Sequence, residues 1–533
     1  MVSVSQDRPT VASGSDGSPR WVKVLDQTRC IGCHACTTAC KSENNVPLGV
    51  TRTYVKSVDV GTFPQVRRAF QVTRCNQCEN PPCVAACPTG AMYIRPDKIV
   101  DFDKRICIGC KACMAACPYD AIFINPEDHS AEKCNFCAHR LEIGLEPACV
   151  VVCPTEAILV GDLSDPTSKV SQTVHRQPVS VRRPEKKTRP KLFYKGAHQS
   201  TLDPLAAERP DGGTFMWSQM LEGPQVVNSG HPVSHGRETS APRAVVSYDV
   251  AHTAPWGWRV SLYTWTKGIS AGAYLVPALL AAFGLVSWTS PLVSWAAPLV
   301  ALAFLSVTGV LLIWDLKHPF RFYMIFTKHK WGSWLVKGSV VISLYGLVLT
   351  AQLVTSVLGT PALLGASAVH GLSGTAHQAL AFVGIPAAIA TAIYTAFLFA
   401  QARARDLWQS PILAPHLAVE AVLAGSASML PVAVAFQPAV TGALAIFVAA
   451  AAAAHLLLRL AETATGHPTA HAHLAAREMT HGRYASAFWV GAAMLAVGVL
   501  APFVGWWAGL VALAGLLPHE HSYVQAAQSV PLA

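Results

Sequence analysis

The chain has 533 residues, 52% of them hydrophobic and only 14% charged, and its net charge is +10. That leaves room for several domains, and the averages cover two unlike parts: charge is concentrated before residue 260 and the remainder is nearly all apolar. A basic balance can mean nucleic acid, but these lysines and arginines flank apolar runs, which points to loops beside a membrane and away from a nucleic-acid partner.

Residues 1–20 are polar, with serine, glycine and proline, and read as a disordered tail. They contain neither the apolar stretch of a secretory signal nor a twin arginine. The domain that follows is therefore expected to stay in the compartment where it is made.

Residues 21–165 hold all 16 cysteines. The quartets are Cys30, Cys33, Cys36 and Cys40; Cys75, Cys78, Cys83 and Cys87; Cys107, Cys110, Cys113 and Cys117; and Cys134, Cys137, Cys149 and Cys153. The last three quartets end in Cys-Pro. In such a run three close thiolates wrap one corner of space, and the fourth, past a short helical step, reaches a second cluster. The spacing predicts four 4Fe–4S clusters with every thiolate used. Disulfides would need the cysteines farther apart. Structural zinc uses C-x2-C pairs separated by a longer loop, and inert buried thiols do not cluster in this way.

Strand-like runs at 91–94 and 99–102 separate the second quartet from the third, the layout of a two-cluster ferredoxin in which each quartet donates its last cysteine to its partner. One cluster then takes Cys75, Cys78, Cys83 and Cys117, and its neighbour takes Cys107, Cys110, Cys113 and Cys87. By the same exchange the outer quartets pair, Cys30, Cys33 and Cys36 with Cys153, and Cys134, Cys137 and Cys149 with Cys40. The expected fold is α+β, a tandem ferredoxin-like domain carrying four redox centres in series. With all four motifs in order, including the four-residue gap before Cys83 and the eleven-residue gap before Cys149, residues 21–165 resemble the four-cluster iron–sulfur subunit of membrane-bound molybdopterin oxidoreductases of the DMSO reductase, formate dehydrogenase and polysulfide reductase type.

Residues 166–255 turn to proline, serine, glycine, histidine and charge, and read as an extended connector over partner surfaces. The basic run at 182–191 within it reads as solvated, or as lying on anionic headgroups or a partner subunit.

Residues 256–533 read as an all-α polytopic bundle of about eight transmembrane helices, with apolar runs at 262–287, 291–314, 334–357, 377–400, 411–434, 438–461 and 484–501 and an eighth from Val504. Loops after the second, fourth and sixth runs carry Lys317, Arg321, Lys328 and Lys330; Arg403 and Arg405; and Arg459, Arg477 and Arg483, whereas the loops at 288–290, 358–376 and 435–437 carry no lysine or arginine. Positive loops face the cytoplasm, so the cysteine domain is expected on the cytoplasmic side of the inner membrane. Tyr263, Trp265, Trp314, Trp331, Trp334 and Trp408 read as an interfacial aromatic belt.

This half resembles the polysulfide reductase membrane subunit (NrfD-like) family. The matching stretches run from Trp265 to Ala271-Gly272, from Asp315 to Phe322, and from Tyr394 to Arg405 and Trp408, with Lys317-His318 standing where the family usually has Gly-Arg. The resemblance implies a quinone, menaquinone or ubiquinone, bound near the iron–sulfur side, and no haem. Ionisable groups inside lipid are costly, so those present are candidates for function. Lys267, Asp315, Tyr394, and His416 with Glu420 on one helix face all fall in the cytoplasmic third, as does His455. Quinone reduction needs hydrogen-bonding partners and a proton relay, roles open to Glu420, Lys267 and Asp315. Other readings stay open. Lys267 can snorkel to the interface, Asp315 and Arg321 can brace a loop, and His416 and His455 can ligate a haem b.

The function expected is that of a fused electron-transfer and membrane-anchor subunit. Four clusters would link a molybdopterin (Mo or W) catalytic partner to the quinone pool of the bilayer. The alternatives are a subunit of a respiratory complex like alternative complex III, and a redox sensor or scaffold whose clusters only stabilise the fold.

Overall fold

A Cys-x3-Cys step spans one helical turn, and in this computed structural model, which describes residues 19–209, 244–359 and 372–533, short helices sit at those steps. Most of the tail at 1–20 lies outside the described residues. Helix Ala35–Glu43 carries Cys36 and Cys40. Helices Pro82–Ala86 and Ala112–Ala116 carry Cys83 and Cys113 and stop at Cys87 and Cys117, whose ψ angles of 119° and 112° are extended. Pro88 and Pro118 cause that stop, because the ring of a proline drives the preceding residue out of the helical region.

Around these helices lie a four-stranded sheet, in the order Ile158–Asp162, Trp21–Asp26, Leu192–Lys195, Val179–Ser180, and an antiparallel three-stranded sheet of Ala244–Tyr248, Thr53–Thr62 and Gln65–Arg74. Val24 lies opposite both Leu159, on an antiparallel neighbour, and Phe193, on a parallel one. Two small hairpins, Met92–Ile94 with Val100–Phe102 and Ile122–Ile124 with Ala131–Lys133, complete the domain.

Residues 210–243 of the expected connector lie outside the described residues, and the described parts of 166–255 are not merely extended, because strands Leu192–Lys195 and Ala244–Tyr248 complete both large sheets. The basic run is solvated only in part, at Lys187 and Arg189. Arg182, Arg183 and Lys191 are buried. Arg182 donates to the Leu532 carbonyl at 2.9 Å, and Lys186 pairs with Asp406. Composition marks such residues as hydrophilic, but a carbonyl and a carboxylate of the membrane half meet the charges of Arg182 and Lys186, and the Lys98 carbonyl meets that of Lys191.

Helices cover all eight apolar runs: Trp258–Ala282, Ala297–Asp315, Trp334–Leu358, Leu372–Gln401, Leu413–Phe436, Thr441–Ala464, Ala485–Val499 and Trp507–Ser529. They are called the first to eighth helices below. Five are long and apolar enough to cross a membrane, within the bounds Leu292–Asp315, Trp334–Leu358, Gly374–Gln401, Leu413–Phe436 and Pro438–Ala464. The seventh is apolar but spans only 15 residues.

The first helix is buried along most of its length, which is why it tolerates polar residues. Their hydrogen bonds go to protein: Ser270 Oγ donates to the Ala301 carbonyl at 2.7 Å, and the Thr266 and Thr308 hydroxyls lie 2.8 Å apart. It crosses the fifth helix at Gly272 and Gly425, where the backbones touch; a β-carbon at Gly272 would stand 1.8 Å from the Ala421 carbonyl oxygen. Small residues allow such close approach between helices in a membrane.

Just before the first helix, His252 is wedged between two carboxylates, with Nδ1 2.6 Å from Asp120 and Nε2 3.2 Å from Asp249, which also pairs with Arg209. Burial alone would lower its pKa, but Asp249 and Asp120 outweigh it and push the imidazolium up to about 9.

Two outcomes follow. Gly272→Ala forces the first and fifth helices apart and costs about 1–3 kcal/mol, seen as a lower apparent melting temperature of the detergent-solubilised protein. Gly442→Ala, at a position with open space around it, should leave that temperature unchanged, and equal effects would contradict the close crossing. The His252 contribution to stability is full below about pH 6.5, its unfolded pKa, and is lost as pH rises through about 9. His252→Gln should therefore destabilise strongly at pH 6 and little at pH 9.5; equal losses at both would refute the charged histidine.

Candidate functional site

The cysteines converge in the combinations that exchange of the last ligand requires. Cys30, Cys33, Cys36 and Cys153 line one small cavity, and Cys107, Cys110, Cys113 and Cys87 line another. Cys40 is an electrostatic neighbour of Cys134, Cys137 and Cys149, and Cys83 of Cys75, Cys78 and Cys117. The four groups also follow one another. Cys36 neighbours Cys149, Cys75 neighbours Cys134, and Cys113 neighbours Cys83. The row runs from an exposed end at Cys33 to an inner end at Cys110.

The donor sets fit iron–sulfur clusters. Burial pushes the Cys36 and Cys40 thiols up to about 11 and 12, so buried thiolates need a positive centre to stabilise them. Backbone N–H groups point at the sulfurs: Ala157 at Cys153 (3.2 Å), Met92 at Cys87 (3.3 Å) and Ala131 at Cys107 (3.4 Å). Such bonds stabilise negative charge on cluster ligands. Cys149 differs from Cys36 and Cys40. Burial pushes its thiol up, but the Arg74 guanidinium, donating from 3.0 Å, and Lys23 together hold it down to about 7.

The inner end is fastened to the membrane half. Lys111 pairs with Asp315 at 2.9 Å, Arg321 donates to the Lys104 and Cys107 carbonyls, both at 3.0 Å, and the Lys317 and His318 amides donate to Gly109 and Ile108. Gly109 has φ +66°, and a β-carbon there would stand 2.4 Å from Lys317 Cβ, so only glycine permits this approach. The loop bearing Lys317, Arg321 and Lys330 and the end of the fourth helix at Gln401 thus lie against the cysteine domain.

Directly beyond Cys110 is an apolar cavity of about 300 Å³. Its wall includes Cys110, Trp256, Tyr263, Asp315, Tyr394 and Phe399. Trp256 Nε1 donates to the Cys110 carbonyl at 3.1 Å, and its ring stacks in a group with Phe399 and Trp408. The Tyr263 hydroxyl is buried, with the Thr395 hydroxyl, which already accepts from Lys267, as its polar neighbour.

Of the membrane residues singled out from sequence, Asp315 and Tyr394 line this cavity. Lys267 stands behind Tyr394, its Nζ 5.1 Å from the ring centre, and donates to the Ala392 carbonyl and the Thr395 hydroxyl. It is 1% exposed and does not snorkel. It makes no pair with Asp315, which is bound to Lys111. Glu420 faces the first helix, where a β-carbon at Gly268 would stand 3.5 Å from its Oε1. His416 packs against His455 with ring centres 4.3 Å apart, and neither is among the residues lining the cavity. Axial ligands on opposite faces of a haem would hold iron and macrocycle between their rings, so this pair is too close for that role.

Sequence reading missed Tyr263, Trp256 and Phe399. It assigned Tyr263 and Trp408 to an interfacial belt, but both are buried, whereas Trp314 and Trp331 are exposed as a belt requires. Depth along the chain shows which end of a helix a residue occupies, not which neighbour it faces.

Comparison with known proteins gives two matching families that divide the chain. A 4Fe-4S dicluster domain matches residues 66–163, and the polysulphide reductase NrfD family matches residues 247–508. Among relatives, a tetrathionate reductase subunit of Salmonella typhimurium is 44% identical over 196 residues, covering 36% of this chain and 78% of the relative. A polysulfide reductase polypeptide of Wolinella succinogenes is 45% identical over 173 residues, covering 32% and 91%. A putative dimethyl sulfoxide reductase iron-sulfur subunit of Halobacterium salinarum is 40% identical over 216 residues, covering 35% and 82%. This is thus a multi-pass membrane protein that belongs to the family of these reductase iron–sulfur subunits, carried in one polypeptide with a polysulphide reductase NrfD domain.

Proposed function

We propose that this chain is the electron-transfer and membrane-anchor subunit of a quinone-linked oxidoreductase, working between a molybdopterin (Mo or W) catalytic partner and menaquinone or ubiquinone in the bilayer. The observation that carries this reading is Cys110, which is shared by the innermost cysteine-lined cavity and the apolar cavity in the membrane half. Four 4Fe–4S clusters would supply one-electron carriers in a row from the exposed Cys33 end, where a partner would dock, to Cys110. The relatives named as components of tetrathionate, polysulfide and dimethyl sulfoxide reductases support a reductase partner.

The apolar wall suits an isoprenoid quinone, and its few polar groups suit a ring that gains or loses protons. Tyr263 offers a buried hydroxyl that makes no well-formed hydrogen bond within the protein. Asp315, held by Lys111, stands at the cavity edge where a proton enters or leaves. Lys267 and Thr395 fix the Tyr394 segment, which makes them positioning residues. Trp256 and Phe399 close the space between Cys110 and the ring and keep water out.

About eight spans, with the cysteine domain on the cytoplasmic face of the inner membrane, complete the proposal. Its support is that the lysine- and arginine-bearing loops are those touching that domain.

Tyr263→Phe tests the site. Losing one hydrogen bond of about 1 kcal/mol lowers quinol-linked turnover at subsaturating quinol by roughly fivefold, with iron content unchanged. Turnover equal to the parent protein would remove Tyr263 and this cavity from quinone binding.

A further inference from the structure

Away from that cavity, the fifth, sixth and eighth helices bring together His416, His455, Arg459, His519 and Glu520, each no more than 2% exposed. No electron route uses them. The rings of His455 and His519 are 5.2 Å apart, and those of His416 and His455 are 4.3 Å apart at 72° to each other. Arg459 donates to Glu462 at 2.6 Å and to Glu520 Oε1 at 3.1 Å.

The histidines are under-bonded. His416 Nε2 and both ring nitrogens of His455 have no hydrogen-bond partner in the protein, and neither has His519 Nε2. His519 Nδ1 lies 3.3 Å from the Phe488 carbonyl, which can only accept, so Nδ1 carries the proton and Nε2 keeps a free lone pair. Charge points the same way. Glu420 and Glu520 face Lys267 and Arg459, Arg459 is shared with Glu462, and Glu420 Oε2 has no partner. Among the described residues, one ligand atom each from His416, His455 and Glu520 lie within 4.8 Å of one another.

We propose that His416, His455 and Glu520 form a divalent transition-metal site of the kind zinc occupies. Two imidazoles and a carboxylate are zinc's common donors, at about 2.0–2.2 Å from the ion. A tetrahedral set would bring the donor atoms to roughly 3.4 Å from one another, a small closure from the spacing present. Crossed rings suit adjacent corners of such a set. Arg459 then orients Glu520 from behind, as groups around a metal site commonly orient its ligands. His416 lies in the first turn of the fifth helix, so the ion can enter from the helix ends. Bound there, it joins three helices and satisfies nitrogens that packing alone leaves bare. This site is independent of the quinone reading.

The test uses the full-length protein incubated with zinc, freed of excess by gel filtration, and measured for zinc and iron per polypeptide and by zinc-edge X-ray absorption. The expected result is one zinc per polypeptide, two imidazoles and a carboxylate as nearest neighbours, and loss of that zinc in His455→Ala and Glu520→Gln with iron content unchanged. The proposal falls if the parent protein retains no zinc, if both variants retain it, or if the neighbours are sulfurs at about 2.3 Å. Should the variants not accumulate, the parent spectrum alone decides between nitrogen–oxygen and sulfur ligands.

Discussion

The contact on which the rest depends is the seating of the 107–111 loop on the segment that follows the second helix. A largely buried Lys111–Asp315 pair, two backbone hydrogen bonds and a bond from Arg321 to the Cys107 carbonyl hold it, with a second Arg321 bond to Lys104 just before it. Such a pair adds little net stability, because two charges must leave water. Its value lies in register. With Asp315 on the wall of the membrane cavity and Lys111 beside Cys110, the pair fixes how far that cavity lies from the innermost cysteine group. Gly109 makes the approach possible, since any side chain there would meet Lys317.

That seating explains the composition of the membrane half. The first helix is enclosed by its neighbours, so it can carry Thr264, Thr266, Lys267 and Ser270 without exposing them to lipid. Each polar group is matched by a nearby carbonyl or hydroxyl, or is turned into an internal space. Outer helices are more uniformly apolar, as a lipid-facing surface requires. Apolarity therefore marks exposure to the bilayer here, and the buried polar groups lie on the helices where it weakens.

The cysteine groups were legible in the sequence because their geometry is local. Two residues between thiolates make a tight loop, three make one helical turn, and a following proline ends it, so spacing alone orders the ligands. The membrane cavity was only half legible. Helical depth put Asp315, Tyr394, Glu420 and His416 at one end alike, but only Asp315 and Tyr394 line the cavity, while Glu420 and His416 face other neighbours. Tyr263 was hidden because an aromatic near a helix end reads as an interfacial anchor. The basic run at 182–191 was misread for a similar reason: its partners, Asp406 and the Leu532 carbonyl, lie more than 200 residues away.

The central claim is that Cys110 is the junction between the cysteine row and the membrane cavity. The most direct measurement mixes dithionite-reduced, full-length protein with a soluble short-chain quinone under anaerobic conditions and follows reoxidation of the iron–sulfur absorbance. The account predicts rapid reoxidation in the parent protein, and slowing of tenfold or more in Cys110→Ser while ferricyanide still reoxidises the remaining clusters. Reoxidation by quinone at the parent rate in Cys110→Ser would contradict it.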